Sequence, residues 1–287
     1  MSQPAHGPLA GLLVVTLAVN VPGPAAAARL AKLGAAVTKV EPAGGDPLAR
    51  FAPAWYEALA SEQEVRRLDL KSAPDRAELD ALLARADLLL TSSRPASLDR
   101  LGLSWEALRA AYPRLSQVAI VGHPAPRQDE PGHDLTYLAG WGLLSPPEMP
   151  RTLLADLAGA ERAAGAALGL LLGRERGLGA GYAEVALSEA AAAFAAPLAH
   201  GLTSPGGVLG GGLPGYGLYR AADGWIAVAA LEEHFLHRLL SELGLEKADR
   251  EALAAAFRER PASEWERWAA GHDLPIVAVR DAPSSTA

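Results

Sequence analysis

The chain has 287 residues, half of them apolar, with 26 Lys plus Arg against 33 Asp plus Glu and a formal charge of −7. With a mean hydropathy of +0.10, that balance belongs to a globular chain and excludes general disorder. The acidic excess argues against an extended phosphate-backbone footprint, so no nucleic-acid partner is expected, and the absence of cysteine excludes disulfides, a thiolate nucleophile and a sulfur-built zinc site.

The first apolar stretch, residues 9–19, has no Lys or Arg before Arg29, so the basic start of a signal peptide is missing. It is also too short to span a bilayer. The chain is expected to be soluble and cytoplasmic, with no membrane partner. Within that stretch residues 12–19 form a Val- and Leu-rich run typical of a strand buried on both faces, and Val21-Pro-Gly-Pro24 stops it. A helix over 25–33, a stop at Gly34 and a strand over 36–40 complete a β-α-β unit.

The alternation continues through a helix over 74–86, a strand over 87–91, a helix over 105–112 and a strand over 115–121, an open, doubly wound α/β layout. Residues 122–151 are rich in Pro, Gly and charge and read as active-site loops rather than regular structure. A long helix over 154–172 with Gly159, Gly165 and Gly169, a strand over 183–187 and a helix over 188–199 follow. Residues 203–217, with seven Gly and two Pro, read as a loop into a second unit. That unit opens with a hairpin over 217–228 turning at Asp223-Gly224, then helices over 234–243, 250–258 and 263–269. The expected division is a large domain over 1–202 and a smaller α+β domain over 203–287.

Several residues carry chemistry, each with a plainer explanation beside it. The Val21-Pro-Gly-Pro24 segment could offer backbone N–H groups to an anion or be a tight turn; it matches neither the dinucleotide nor the P-loop glycine pattern. Asp156 at the start of the long helix is a nucleophile or base, or a first-turn carboxylate favoured by the helix dipole. His133 lies in the loop region after Pro131-Gly132, and histidine is the side chain that changes charge near neutral pH, although most surface histidines do nothing. Glu232 and Glu233 precede a helix, which explains their acidity. The scattered His123, His200, His234, His237 and His272 form no H-E-x-x-H motif, so no metal is expected. Trp265 and Trp268 read as core or interface anchors.

In order and spacing, a series of segments resembles the family III CoA-transferases, the group of formyl-CoA transferase and α-methylacyl-CoA racemase. They are Gly7-Pro-Leu-Ala-Gly-Leu12, Pro22-Gly-Pro24, LAKLGAAVTKVEP over 30–42, Leu68-Asp-Leu-Lys-Ser72, Ala86-Asp-Leu-Leu-Leu90, Arg94-Pro95, LDRLGL over 98–103, Gly132-His-Asp134, Asp156-Leu-Ala158 and YRAADGWIAV over 219–228. The resemblance implies an α/β fold with a Rossmann-like open parallel sheet in the large domain, a smaller α+β domain, an interlocked homodimer and an acyl-CoA thioester substrate. It implies no separate cofactor, coenzyme A being part of the substrate.

The family's catalytic aspartate falls on Asp156. Gly132-His133-Asp134 with Tyr137 looks like the racemase segment, and Glu232 aligns with the acidic residue that orients the imidazole. The implied reaction is two-base epimerisation of a 2-methylacyl-CoA, with His133 and Asp156 on opposite faces of a planar enolate and backbone N–H groups at the Asp156 helix start on its oxygen. Two alternatives are CoA transfer through an aspartyl-CoA at Asp156 and a non-catalytic CoA-binding protein. Lys71, Arg94 and Arg100 match the positions that hold CoA phosphates, and Tyr137 is counted with them among the CoA-binding residues.

The chain departs from the family at Glu62-Gln63-Glu64, where basic residues are usual, and at Gly122-His-Pro-Ala-Pro-Arg127, which replaces a glycine-rich loop. The C-terminal return segment is expected to be short or absent. Trp141 and the loop 203–217 are further candidates for shaping an acyl pocket.

Overall fold

The computed structural model describes residues 6–281, in two compact units that divide between Ala195 and Ala196 rather than after residue 202. The first unit runs β1 (Leu13–Thr16), α1 (Pro22–Lys32), β2 (Ala36–Glu41), α2 (Pro47–Phe51), α3 (Pro53–Ala60), β3 (Gln63–Arg67), α4 (Ala73–Leu83), β4 (Leu88–Thr91), α5 (Pro95–Arg100), α6 (Trp105–Ala111), β5 (Ser116–Val121), α7 (Asp134–Gly140), α8 (Leu154–Glu175), β6 (Tyr182–Ala186) and α9 (Leu187–Ala199). The unit boundary falls inside α9.

The six strands form one sheet in the order β3-β2-β1-β4-β5-β6, every pair parallel. Strands covered by helices on both faces need apolar side chains on both, and β4 and β5 are buried at every residue. One face carries α1 and α8, where Ala26, Ala27 and Leu30 meet Ala160, Ala163, Ala164 and Ala167. Small residues let these two helices approach closely, and Gly159 is required because a Cβ there would come within 2.2 Å of Leu187 Cδ2. The other face packs Leu79 and Leu83 of α4, Leu98 of α5 and Leu108 of α6 on Val15, Val40 and Leu89. Strand order reverses between β1 and β4, and the crevice at the carboxyl ends of the strands there is where open α/β sheets bind ligands.

Two expectations are corrected. Val21-Pro-Gly-Pro24 is not a turn outside the helix but contains its first turn, with Pro22 at the first helical position, where a missing N–H costs nothing. The turn itself is made one residue earlier by Asn20, at φ 68°. The stretch 122–151 is not all loop, because α7 lies within it. Thr136 Oγ1 accepts the N–H of the N-cap residue His133 at 3.1 Å, so a polar third position starts a short helix that has no apolar period of its own.

The second unit comprises β7 (Tyr216–Arg220), β8 (Trp225–Ala229), α10 (Glu233–Leu243), α11 (Arg250–Phe257), α12 (Ala262–Gly271) and β9 (Ile276–Ala278), with an antiparallel sheet ordered β7-β8-β9. One face of that sheet, with Tyr219, Ile226, Val228 and Ile276, packs on Leu239, Leu253, Phe257 and Trp265 from the helices. Trp265 is buried, as an anchor should be, and its indole N–H donates to Phe257 O at 2.8 Å. Asp223 serves twice: it sits in the hairpin turn, and its carboxylate accepts the Ala262 N–H at the start of α12. Among the described residues no helix is long and apolar enough to cross a membrane.

Candidate active site

A cavity of about 270 Å³ opens at the carboxyl edge of the first sheet, between the segments that follow β1, β4 and β5. His133, Tyr137, Asp156 and Arg94 all line it, with Asn20 and Ser93. Residues far apart in the chain meet here because three parallel strands end together and α8 begins beside them.

Asp156 stands in the first turn of α8, only partly open to solvent. Its carboxyl pKa is pushed up from 3.8 to about 7, first by burial and then by the nearby carboxylate of Asp134. Asp134, the first residue of α7, is buried, and its Oδ1 accepts the Asp156 N–H at 3.0 Å. Its other oxygen, Oδ2, is buried without a hydrogen-bond partner. The Asp156 N–H is therefore already engaged and is not free to hold an enolate oxygen.

Tyr137 is buried at its ring, with its hydroxyl among the cavity walls. It is seated by two glycines: a Cβ on Gly122 or on Gly132 would fall 2.5 Å from the phenol group. Burial, and then the carboxylates of Asp156 and Asp134, push its pKa above the usual range, so at neutral pH the phenol is a hydrogen-bond donor. His133 is exposed at the mouth, its backbone extended at φ −142°.

A second cavity of about 260 Å³ adjoins the first, sharing Val19 and Ser93, and Lys71 lines it with Glu41, Leu68, Leu98 and Leu101. Arg100 lines neither; it is exposed and reaches Ser97 Oγ at 3.1 Å. The arginines beside the acidic 62–64 stretch differ in availability. Arg66 is held by Glu64 and Glu78, both at 2.6 Å, while Arg67 lies 3.6 Å from Glu41 with most of its side chain in solvent. Glu232 belongs to the second unit, where it occupies the N-cap of α10 without its side chain accepting a hydrogen bond, so capping does not account for it. Among the described residues no group of three His, Asp or Glu side chains is placed to hold a metal ion.

The fold has known counterparts. The family model for CoA-transferase family III matches residues 9–285. The chain belongs to this family. Among its curated relatives, the alpha-methylacyl-CoA racemase of Mus musculus is 30% identical over 94% of this chain and 77% of its own length. The cinnamoyl-CoA:phenyllactate CoA-transferase of Clostridium sporogenes is 35% identical over 47% of this chain, a match that spans only 36% of that enzyme. A crystal structure of a hypothetical protein from Mycobacterium tuberculosis superposes with a TM-score of 0.84 at 25% identity, covering 96% of this chain and 86% of that one. That chain therefore shares the fold described above.

Sequence reasoning passed over Asp134 as a side chain with its own role, although it is quoted in Gly132-His-Asp134. An acidic residue at a helix start reads as a dipole partner of its own helix. That it serves α8 instead depends on a contact between residues 22 positions apart.

Proposed function

We propose that this family III member is an acyl-CoA epimerase, moving the α-proton of a 2-methylacyl-type thioester between faces through His133 and Asp156. The observation that carries the reading is the near-neutral pKa of the Asp156 carboxyl in a cavity that His133 also lines. A proton donor and acceptor works best when its pKa lies near the working pH, whereas a raised pKa leaves a smaller ionised fraction to act as a carboxylate nucleophile.

In one direction neutral His133 takes the α-proton, leaving imidazolium and a planar enolate, and the acid form of Asp156 gives its own proton to the opposite face. The return direction starts from imidazolium and carboxylate and runs the same transfers backwards. Tyr137, a protonated phenol in the same cavity, can donate to the enolate oxygen in place of the occupied Asp156 N–H. Arg94 and Lys71 offer cations for the phosphates of coenzyme A, which enters as part of the substrate, and two copies of the chain form the working homodimer.

The test incubates one epimer of a 2-methylacyl-CoA with the protein in heavy water. Deuterium at the α-carbon with loss of configuration is expected, slowed by His133→Ala more from one epimer than from the other. A bound thioester that never exchanges removes the reading. The transferase relatives keep a second reading open, in which Asp156 attacks the thioester carbonyl; trapping of an Asp156 acyl or CoA ester by hydroxylamine or borohydride decides for it.

A further inference from the structure

A larger cavity of about 580 Å³ lies on the far side of Tyr137, sharing Glu130, Pro131 and Tyr137 with the Asp156 cavity. What it can hold follows from its walls, given the reading above that the reacting end of the thioester lies beside Asp156. Among the described residues its lining contains no Leu, Ile, Val, Met or Phe. His123 stands edge-on to Tyr137, ring centroids 5.2 Å apart, and its imidazole makes no hydrogen bond among the described residues. Trp141 lines the cavity half exposed and is held in place by its indole N–H, which donates to Ser188 O at 3.0 Å.

The charges are unevenly spent. Arg127 gives Nε and Nη2 to the carboxylate of Glu130 at 2.6–2.9 Å, which neutralises both, while Glu189 has no cation beside it. A long alkyl chain placed here would strip water from an ion pair, a carboxylate and an imidazole and meet only Pro124, Pro131, Tyr137 and Trp141 as apolar contacts in return. A carboxylate-bearing acyl group would face Glu189 with the one guanidinium already taken. A small neutral group with a hydroxyl meets neither penalty, since the imidazole can donate to or accept from it and the indole face can cover its carbons.

We propose that the cavity takes a short, uncharged, hydroxyl-bearing acyl group, with His123 as the residue that selects it. The experiment measures dissociation constants by calorimetry, and α-deuteration in heavy water, for four 2-methyl thioesters that differ only beyond the α-carbon: 3-hydroxy-2-methylbutyryl-, 2-methylbutyryl-, 2-methylsuccinyl- and 2-methyltetradecanoyl-CoA. The hydroxylated thioester is expected to bind at least tenfold more tightly than the other three. His123→Leu should cut its advantage over 2-methylbutyryl-CoA to under threefold while 2-methylbutyryl-CoA itself binds within twofold of wild type. Glu189→Gln, which does not depend on the fate of the His123 variant, should tighten 2-methylsuccinyl-CoA at least fivefold.

Tightest binding of the long-chain or dicarboxylic thioester overturns the proposal, as does a hydroxyl preference that His123→Leu leaves intact. A ranking as expected with no α-exchange from any thioester supports this proposal and removes the proton-transfer reading instead. Failure of all four to bind overturns both.

Discussion

Replacing Asp156 with Asn should make the protein more stable, and increasingly so as the pH rises. The folded-state pKa of about 7 lies above the ordinary 3.8, so the folded chain binds this proton more tightly than the unfolded chain. Whatever stability that preference contributes is complete below pH 3.8 and is lost as pH rises through 7. Ionising a carboxyl displaced by about three pH units costs up to about 4 kcal/mol at 1.36 kcal/mol per unit. Asp156 is partly open to solvent, and halving for screening leaves about 2 kcal/mol. An amide of the same shape never ionises and avoids that cost. Urea unfolding of the wild type and Asp156→Asn, at half-unit steps from pH 4.5 to 8.5, should give curves that separate up to pH 7 and run parallel above it. At pH 8 the variant should melt about 4 °C higher, at about 2 °C per kcal/mol for a chain of this size. A stability difference that stays flat across this range would refute the assignment of a raised pKa to Asp156, whatever the variant does to activity.

Three further outcomes follow from contacts described above. Asp134→Asn keeps an oxygen to accept the Asp156 N–H but removes the charge; since burial is the larger cause of the rise, the pH at which Asp156 ionises should drop by about one unit, read from the pH profile of α-deuteration. Gly132→Ala drives a methyl to within 2.5 Å of Tyr137 Cε1 and should cost about 1–3 kcal/mol in urea unfolding, a cost largely relieved in the double variant with Tyr137→Ala. Lys39→Met should cost about 3–5 kcal/mol by the same measurement, because Lys39 Nζ lies 2.7 Å from Asp46 and 3.5 Å from Glu41 and all three side chains are buried.

The first unit was legible in sequence wherever a strand is covered on both faces. Leu88–Thr91 and Ser116–Val121 are apolar or small at every position but Gln117, and no residue in them reaches solvent. The strand that sequence reading left out, Gln63–Arg67, is the edge of the sheet, mostly exposed, and has polar side chains in four of its five positions. The helix Pro47–Phe51 carried a readable signal in Asp46-Pro47, an N-cap acid followed by a first-position proline. Its five residues were too few for a period, and the cap is confirmed only by the Leu48 N–H bonding to Asp46. In the site, the residue types and the loop were legible. The pairing of Asp134 with Asp156 was not, because no local pattern encodes which helix a buried carboxylate serves.

The crevice between β1 and β4 is the usual anion site of such sheets, where phosphate meets the first turn of the helix after β1. Here that turn has little to offer. Pro22 and Pro24 have no N–H, and the Ala25 N–H is bonded to Val21 O at 3.0 Å, leaving only that of Gly23. Gly23 in turn packs so tightly on Ala18 that a Cβ would come within 2.1 Å. Under the proposed function, a phosphate at this edge would have to be met by side chains, and Arg94 and Lys71 line the two cavities there. The start of α8 reverses the usual rule as well. A carboxylate in the first turn of a 22-residue helix is ordinarily held ionised by the dipole and its free N–H groups. Asp134 takes the Asp156 N–H for itself and adds its own negative charge, and burial does the rest, so the helix terminus that should lower the pKa of Asp156 loses to two effects that raise it. The raised pKa of Asp156 thus owes most to burial and the remainder to Asp134, and an aspartate equally buried at the same helical position without that neighbour would give up its proton more readily.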